Sequence, residues 1–141
     1  MTRRLARTFA AVLACASAAA FANTESARHA ANCVAALKAR ESSMAAALKP
    51  GAPVEPELLK VVRGGIAIIG TQYLSGLREA EARKLLEAAE RDFSALPRAA
   101  AEARQGECLQ EGDGLYRRAS AIERSLITSA AQRRIKRLRP A

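Results

Sequence analysis

Tryptophan is missing from the chain, aromatic residues make up only 4% of its 141 positions, and a single histidine and three cysteines are present. So few aromatics argue against an all-β sandwich or barrel, whose strands draw on β-branched and aromatic side chains. Without a Cys-x-x-Cys pair there is no thioredoxin-like redox motif, and without Cys-x-x-Cys-His there is no haem attachment site. One histidine leaves Ser120, Ser125 and Ser129 without an evident base, and Gly64-Gly65 opens no phosphate-binding signature. No catalytic residue and no cofactor is therefore assigned. What is present is Ala, Leu, Arg and Glu, with half of all residues apolar and 23 Lys+Arg against 14 Asp+Glu. That composition describes one small helical domain.

The first 22 residues read as a secretory leader. Arg3, Arg4 and Arg7 supply the positive start, Thr8 to Phe21 the apolar stretch, and Ala20-Phe21-Ala22 the small-x-small cleavage signal. A stretch of about 14 apolar residues is too short for a bilayer core that needs about 20. Cys15, after Val12-Leu13-Ala14, offers lipoprotein anchoring as a lesser alternative, with bulky Leu13 against it. Residues 23–141 form the mature domain, expected in the periplasm or outside the cell. Leu58 to Leu77 is the other apolar run, but Lys60, Arg63 and Gln72 fit a core helix better than a membrane span.

Pro50, Gly51, Pro53 and Pro56 make the clearest break, and Gly76 and Pro97 make two more. Four helical segments follow, roughly 24–48, 57–75, 78–96 and 98–138. Ala30, Cys33 or Val34, Leu37, Met44 and Leu48 form the stripe of the first, and Leu59, Val62, Ile66, Ile69 and Tyr73 that of the second. Ala82, Leu85, Leu86, Ala89, Phe93 and Leu96 line the third. Cys108, Gly112, Leu115, Ala119, Ile122 and Leu126 repeat every seven residues in the last. Short connections between such helices imply an up-down four-helix bundle with a thin, alanine-rich core. The β-branched run Ile66 to Ile69 has no second strand to pair with. Gly64, Gly65, Gly70 and Gly76 crowd the second segment, which suggests that another backbone packs closely against it.

After leader removal Cys33 and Cys108 remain, an even count in an oxidising compartment. Antiparallel first and last helices would place Cys33 ~22 Å and Cys108 ~15 Å from the same end of the bundle. That is close enough for a disulfide. The competing reading is a small-ligand or metal carrier in which His29, one turn before Cys33, joins both cysteines as ligands, with no fourth ligand visible. Glu107, Glu111, Asp113 and Tyr116 could make a paired-carboxylate site, but Arg104, Arg117 and Arg118 beside them suggest a solvated charge network.

Charge is concentrated at the end of the chain. Arg124, Arg133, Arg134, Lys136, Arg137 and Arg139 fall in residues 124–141, where there is no acid. An unbroken last helix would be ~60 Å long and would overhang partners of ~28 Å. Its stripe of Ile127, Ala131, Ile135 and Leu138 would have to fold back, pair with a second protomer or bind something else. A break at Gly112 or Gly114 would leave a final helix of ~36 Å, short enough for the bundle to cover. The basic arm suits a partner protein or an anionic envelope surface, whereas nucleic acid is not expected because the arm has no aromatic residue for base stacking. These features point to a non-catalytic, disulfide-stapled secreted or periplasmic protein that works through surface contacts.

Overall fold

The computed structural model describes residues 5–139, with side chains from Asn23 onward. The leader read at residues 1–22, including Cys15 and its cleavage signal, lies outside the residues whose side chains are described. Among the described residues there are five helices and no strand: α1 (Leu5–Ala46), α2 (Pro56–Leu74), α3 (Glu79–Ser94), α4 (Arg98–Arg118) and α5 (Ala121–Leu138). No helix among them is long and apolar enough to cross a membrane.

Pairings between side chains give the helix directions. Arg40 of α1 meets Glu57 of α2, while Ser26 meets Gln72, so α1 and α2 are antiparallel. His29 meets Glu111 and Cys33 meets Cys108, so α4 also runs against α1. Leu58 and Val62 pack with Ile135 and Ala131 near one end of α2, and Leu74 shares a groove with Leu126 near the other, so α5 runs against α2. The arrangement is an up-down bundle in which α2 touches α1, α4 and α5, while α3 lies on α1.

The expected last segment is two helices. Gly112 and Gly114 both lie inside α4, and the break comes at Ala119 and Ser120. There the Ser120 side chain accepts a hydrogen bond from the Glu123 backbone N–H, and the Glu123 carboxylate accepts one from the Ser120 N–H. This capping box starts a new helix by satisfying two donors that would otherwise be left open. Hydrogen bonds from Ser120, from its side chain first and then its backbone, hold the Glu123 carboxyl below its usual range. Arg124 closes the corner by donating to the carbonyls of Arg117 and Ala119 at the end of α4. The corner turns α5 back along the bundle, which removes the overhang.

Small residues dominate the core. Ala30, Cys33, Ala36, Leu37, Val61, Ile68, Cys108 and Leu109 form one cluster, and Leu58, Val62, Ala131 and Ile135 form a second beneath α5. The stripe expected on α2 is only partly the buried one. Val62 is buried, but Ile69 and Tyr73 are exposed, and Leu58, Val61, Ala67 and Ile68 are buried in addition. One stripe supposes one neighbour, whereas α2 has three.

The glycines of α2 differ in role. Gly64 faces Gly112 of α4, where a Cβ built on Gly112 would stand 2.6 Å from the Gly64 Cα. The two backbones touch there, and a methyl group on Gly112 has no room. Gly65 and Gly70 have nothing within 4 Å of an added Cβ. Gly76 ends the helix region with φ +97°, a conformation other residues rarely adopt.

Gly112→Ala is therefore expected to destabilise the protein, because overpacking costs about 1–3 kcal/mol against a gain of about 1 kcal/mol in helix propensity. Gly65→Ala should be stabilising by about 0.5–1 kcal/mol, since only the propensity changes. Thermal unfolding of the two variants checks both signs, and equal behaviour would mean that the helices are not in backbone contact at Gly112.

Candidate functional site

Two regions carry chemistry: the cysteine pair where α1 meets α4, and the outer face of α5. Cys33 and Cys108 are joined in a disulfide with Cα atoms 5.1 Å apart, and both are buried. The bond closes a separation of 75 residues. In the chain-entropy account, closing a loop of that size contributes about 4 kcal/mol.

Above the sulfurs lies a pair of titratable groups. His29 is one turn before Cys33, and Glu111 is nearly one turn after Cys108, so antiparallel helices bring both to the same side of the disulfide. The His29 Nε2 and a Glu111 carboxylate oxygen are 2.7 Å apart. The Cys33 Sγ lies 3.9 Å from each of these atoms. A disulfide sulfur carries no proton to donate, so its approach to the Glu111 carboxylate is a contact, and toward the His29 imidazole it can act only as a weak acceptor. His29 is exposed and Glu111 half-buried, so the pair stands between solvent and the buried sulfurs. With the sulfurs bonded to each other, neither is a thiolate ligand, and the carrier reading from His29, Cys33 and Cys108 does not apply to this state.

Glu107, Glu111 and Asp113 do not converge on one site. Asp113 pairs with Arg117 one turn along α4, and Glu107 is exposed. Tyr116 belongs to a joint of three helices. Its ring lies under the Arg63 guanidinium of α2 at 4.4 Å, and its hydroxyl is 3.0 Å from the Thr128 Oγ1 of α5.

The basic residues of the carboxyl-terminal arm divide by environment. Arg124 is bound to the α4 carbonyls, and Arg139 donates to the Ala52 carbonyl. Arg134 donates to both oxygens of Glu41, a carboxylate whose side chain is only 8% exposed. Arg133, Lys136 and Arg137 are exposed and have no hydrogen-bond or ion-pair partner among the described residues. The apolar stripe of the arm is covered within the chain: Ala131 and Ile135 are buried against α2.

The face that α5 turns outward is apolar at its start. Ile122 is 75% and Leu126 64% exposed, and Leu126 lines a groove with Leu74, itself 83% exposed at the end of α2. At about 100° per residue, positions 122, 126, 133 and 137 fall within roughly 60° of one another around the helix, with position 136 just beside them. The outer face thus runs from isoleucine and leucine at one end to three unpaired cations at the other. The seven-residue repeat read through Ile122 and Leu126 misplaced them, because the corner at Ser120 takes them out of the α4 register.

Compared with known proteins, the chain matches no family model, and no curated protein or solved structure shows significant similarity to it.

The Arg134–Glu41 pair gives a direct test of how the arm is held. Arg134→Ala leaves a buried carboxylate without its partner and is expected to cost about 1–3 kcal/mol, less than a fully buried pair because the Arg134 side chain is 40% exposed. Adding Glu41→Met should recover most of that loss. Urea unfolding of the single and double variants measures both, and an Arg134→Ala protein as stable as the parent would show that the pair does not hold α5.

Proposed function

We propose that this chain is a non-catalytic protein of an oxidising compartment, secreted or periplasmic, that acts through contacts made by the outer face of α5. The observation that carries the reading is the line of Ile122, Leu126, Arg133, Lys136 and Arg137 along that face, all exposed. Large apolar side chains this exposed are costly to leave in water when they cluster, and Leu74 enlarges the cluster. Three cations without internal partners contribute little to the fold. Apolar side chains followed by cations on one helical face match an anionic envelope surface, with the chains entering the interfacial layer and the cations meeting acidic head groups.

The disulfide supports the compartment, since such bonds persist where thiols are not kept reduced. The leader reading of residues 1–22 agrees with it. An acidic partner protein is the second reading, favoured by the groove between α2 and α5, which a surface lipid layer would not fill but a side chain would. A homodimer through the carboxyl-terminal helix would have to use this same outer face, because the Ile135 stripe is already covered.

Vesicle co-sedimentation tests the surface reading. The oxidised protein should bind vesicles rich in anionic lipid, release in high salt, and ignore zwitterionic vesicles. With about 1 kcal/mol per basic residue near such a surface, the R133Q/K136Q/R137Q variant should partition on the order of 100-fold more weakly. No binding by the parent, or equal binding by the variant, removes the membrane reading. A cross-link from this face to an acidic protein would then favour the second.

A further inference from the structure

The cysteines, His29 and Glu111 hold four potential ligand atoms where two helices meet. We infer that they form a latent site for a four-coordinate divalent transition ion, with Zn2+ the best match, which opens when the disulfide is reduced. Two thiolates, an imidazole and a carboxylate are a donor set suited to zinc and poorly suited to magnesium or calcium, which prefer oxygen alone.

The distances decide the case. Around a tetrahedral zinc, with bonds near 2.3 Å to sulfur and about 2.0–2.1 Å to nitrogen or oxygen, a thiolate lies about 3.5 Å from the nitrogen and oxygen ligands. Those two ligands lie about 3.3 Å from each other, and the two thiolates about 3.8 Å. The Cys33 Sγ already lies 3.9 Å from both the His29 Nε2 and the Glu111 Oε2, and those two atoms are 2.7 Å apart. All three edges are within about 0.4–0.6 Å of what zinc requires. The Cys108 Sγ is the ligand out of place: it is held 2.06 Å from the Cys33 Sγ and lies outside the group that the other three atoms form within 4.8 Å of one another, and breaking the bond frees it to turn in. Rotation about the cysteine side-chain bonds then suffices, because the Cα atoms stand 5.1 Å apart on helices held by their other contacts. His29 and Glu111 at the surface give an ion its entry path.

The redox step balances with a dithiol as reductant. The dithiol attacks one sulfur, the protein bond breaks, and two electrons and two protons pass to Cys33 and Cys108, while the reductant leaves as a disulfide. Ion binding then displaces the two thiol protons to solvent, leaving two thiolates on the metal. Disulfide and metal are alternative occupants of the same sulfurs. The site is separate from the α5 face, so neither reading depends on the other.

Cobalt(II), whose thiolate complexes absorb in the near-ultraviolet and whose tetrahedral complexes absorb strongly in the visible, is the probe. The full chain, reduced with a phosphine and freed of it, should take up one equivalent with both absorptions and lose them to added Zn2+, while the oxidised chain should show neither. His29→Ala and Glu111→Gln, at solvent-accessible positions, should each weaken uptake by at least about tenfold, and Zn2+ should slow re-formation of the disulfide by a similar factor. Circular dichroism follows the helices throughout. Reduced protein that gives no tetrahedral spectrum, folded or not, overturns the proposal. Uptake unchanged by both variants also overturns it, since it would mean that the cysteines alone bind the ion.

Discussion

The Cys33–Cys108 bond ties α1 to α4 inside a core built largely of small side chains. Alanine, glycine and cysteine supply much of the buried surface, and no aromatic side chain among the described residues is fully buried. A core of this kind gains little per residue from burial, so it relies on close backbone approach and on limiting the unfolded chain. The disulfide supplies the second and the Gly64–Gly112 contact the first. With α1 and α4 tied and α2 pressed onto α4, α5 has a fixed surface on which to lay Ala131 and Ile135.

That same tie determines what the surface presents. Because α5 is turned back at Ser120 and locked through Arg134 to Glu41, its apolar stripe is spent inside the bundle and only its outer face is left for contacts. Arg124, Arg134 and Arg139 are used to build the fold, and Arg133, Lys136 and Arg137 are left over. A charge run that looks uniform in one dimension is therefore two populations in three. At the other seam, tying Cys33 to Cys108 also sets His29 beside Glu111, so the chemistry near the sulfurs is a consequence of helix direction.

Much of this was legible in the residues. The punctuation at Pro50 to Pro56, Gly76 and Pro97 marks the helix ends because each removes a donor or needs a special backbone angle. The cysteine pairing followed from the rise of 1.5 Å per residue, which turns sequence separation into height. The corner at Ser120 was missed although Ser120-Ala121-Ile122-Glu123 is a capping-box signature, because Gly112 and Gly114 drew the break toward themselves. Gly112 is instead required inside α4, where α2 leaves no space for a side chain. Sequence spacing does not make Glu111 a neighbour of His29, since that needs the relative rotation of two helices as well as their level. The exposed Ile69 and Tyr73 show the same limit: periodicity gives the apolar faces of a helix but not which neighbours cover them.

The central claim is that two particular cysteines are joined. Peptide mapping of the chain produced in an oxidising compartment, alkylated before any reductant is added, tests it most directly. The account predicts one cross-linked peptide pair containing Cys33 and Cys108, with neither thiol alkylated. Alkylation of both, or a cross-link that joins either of them to Cys15 or to a second chain, would contradict it.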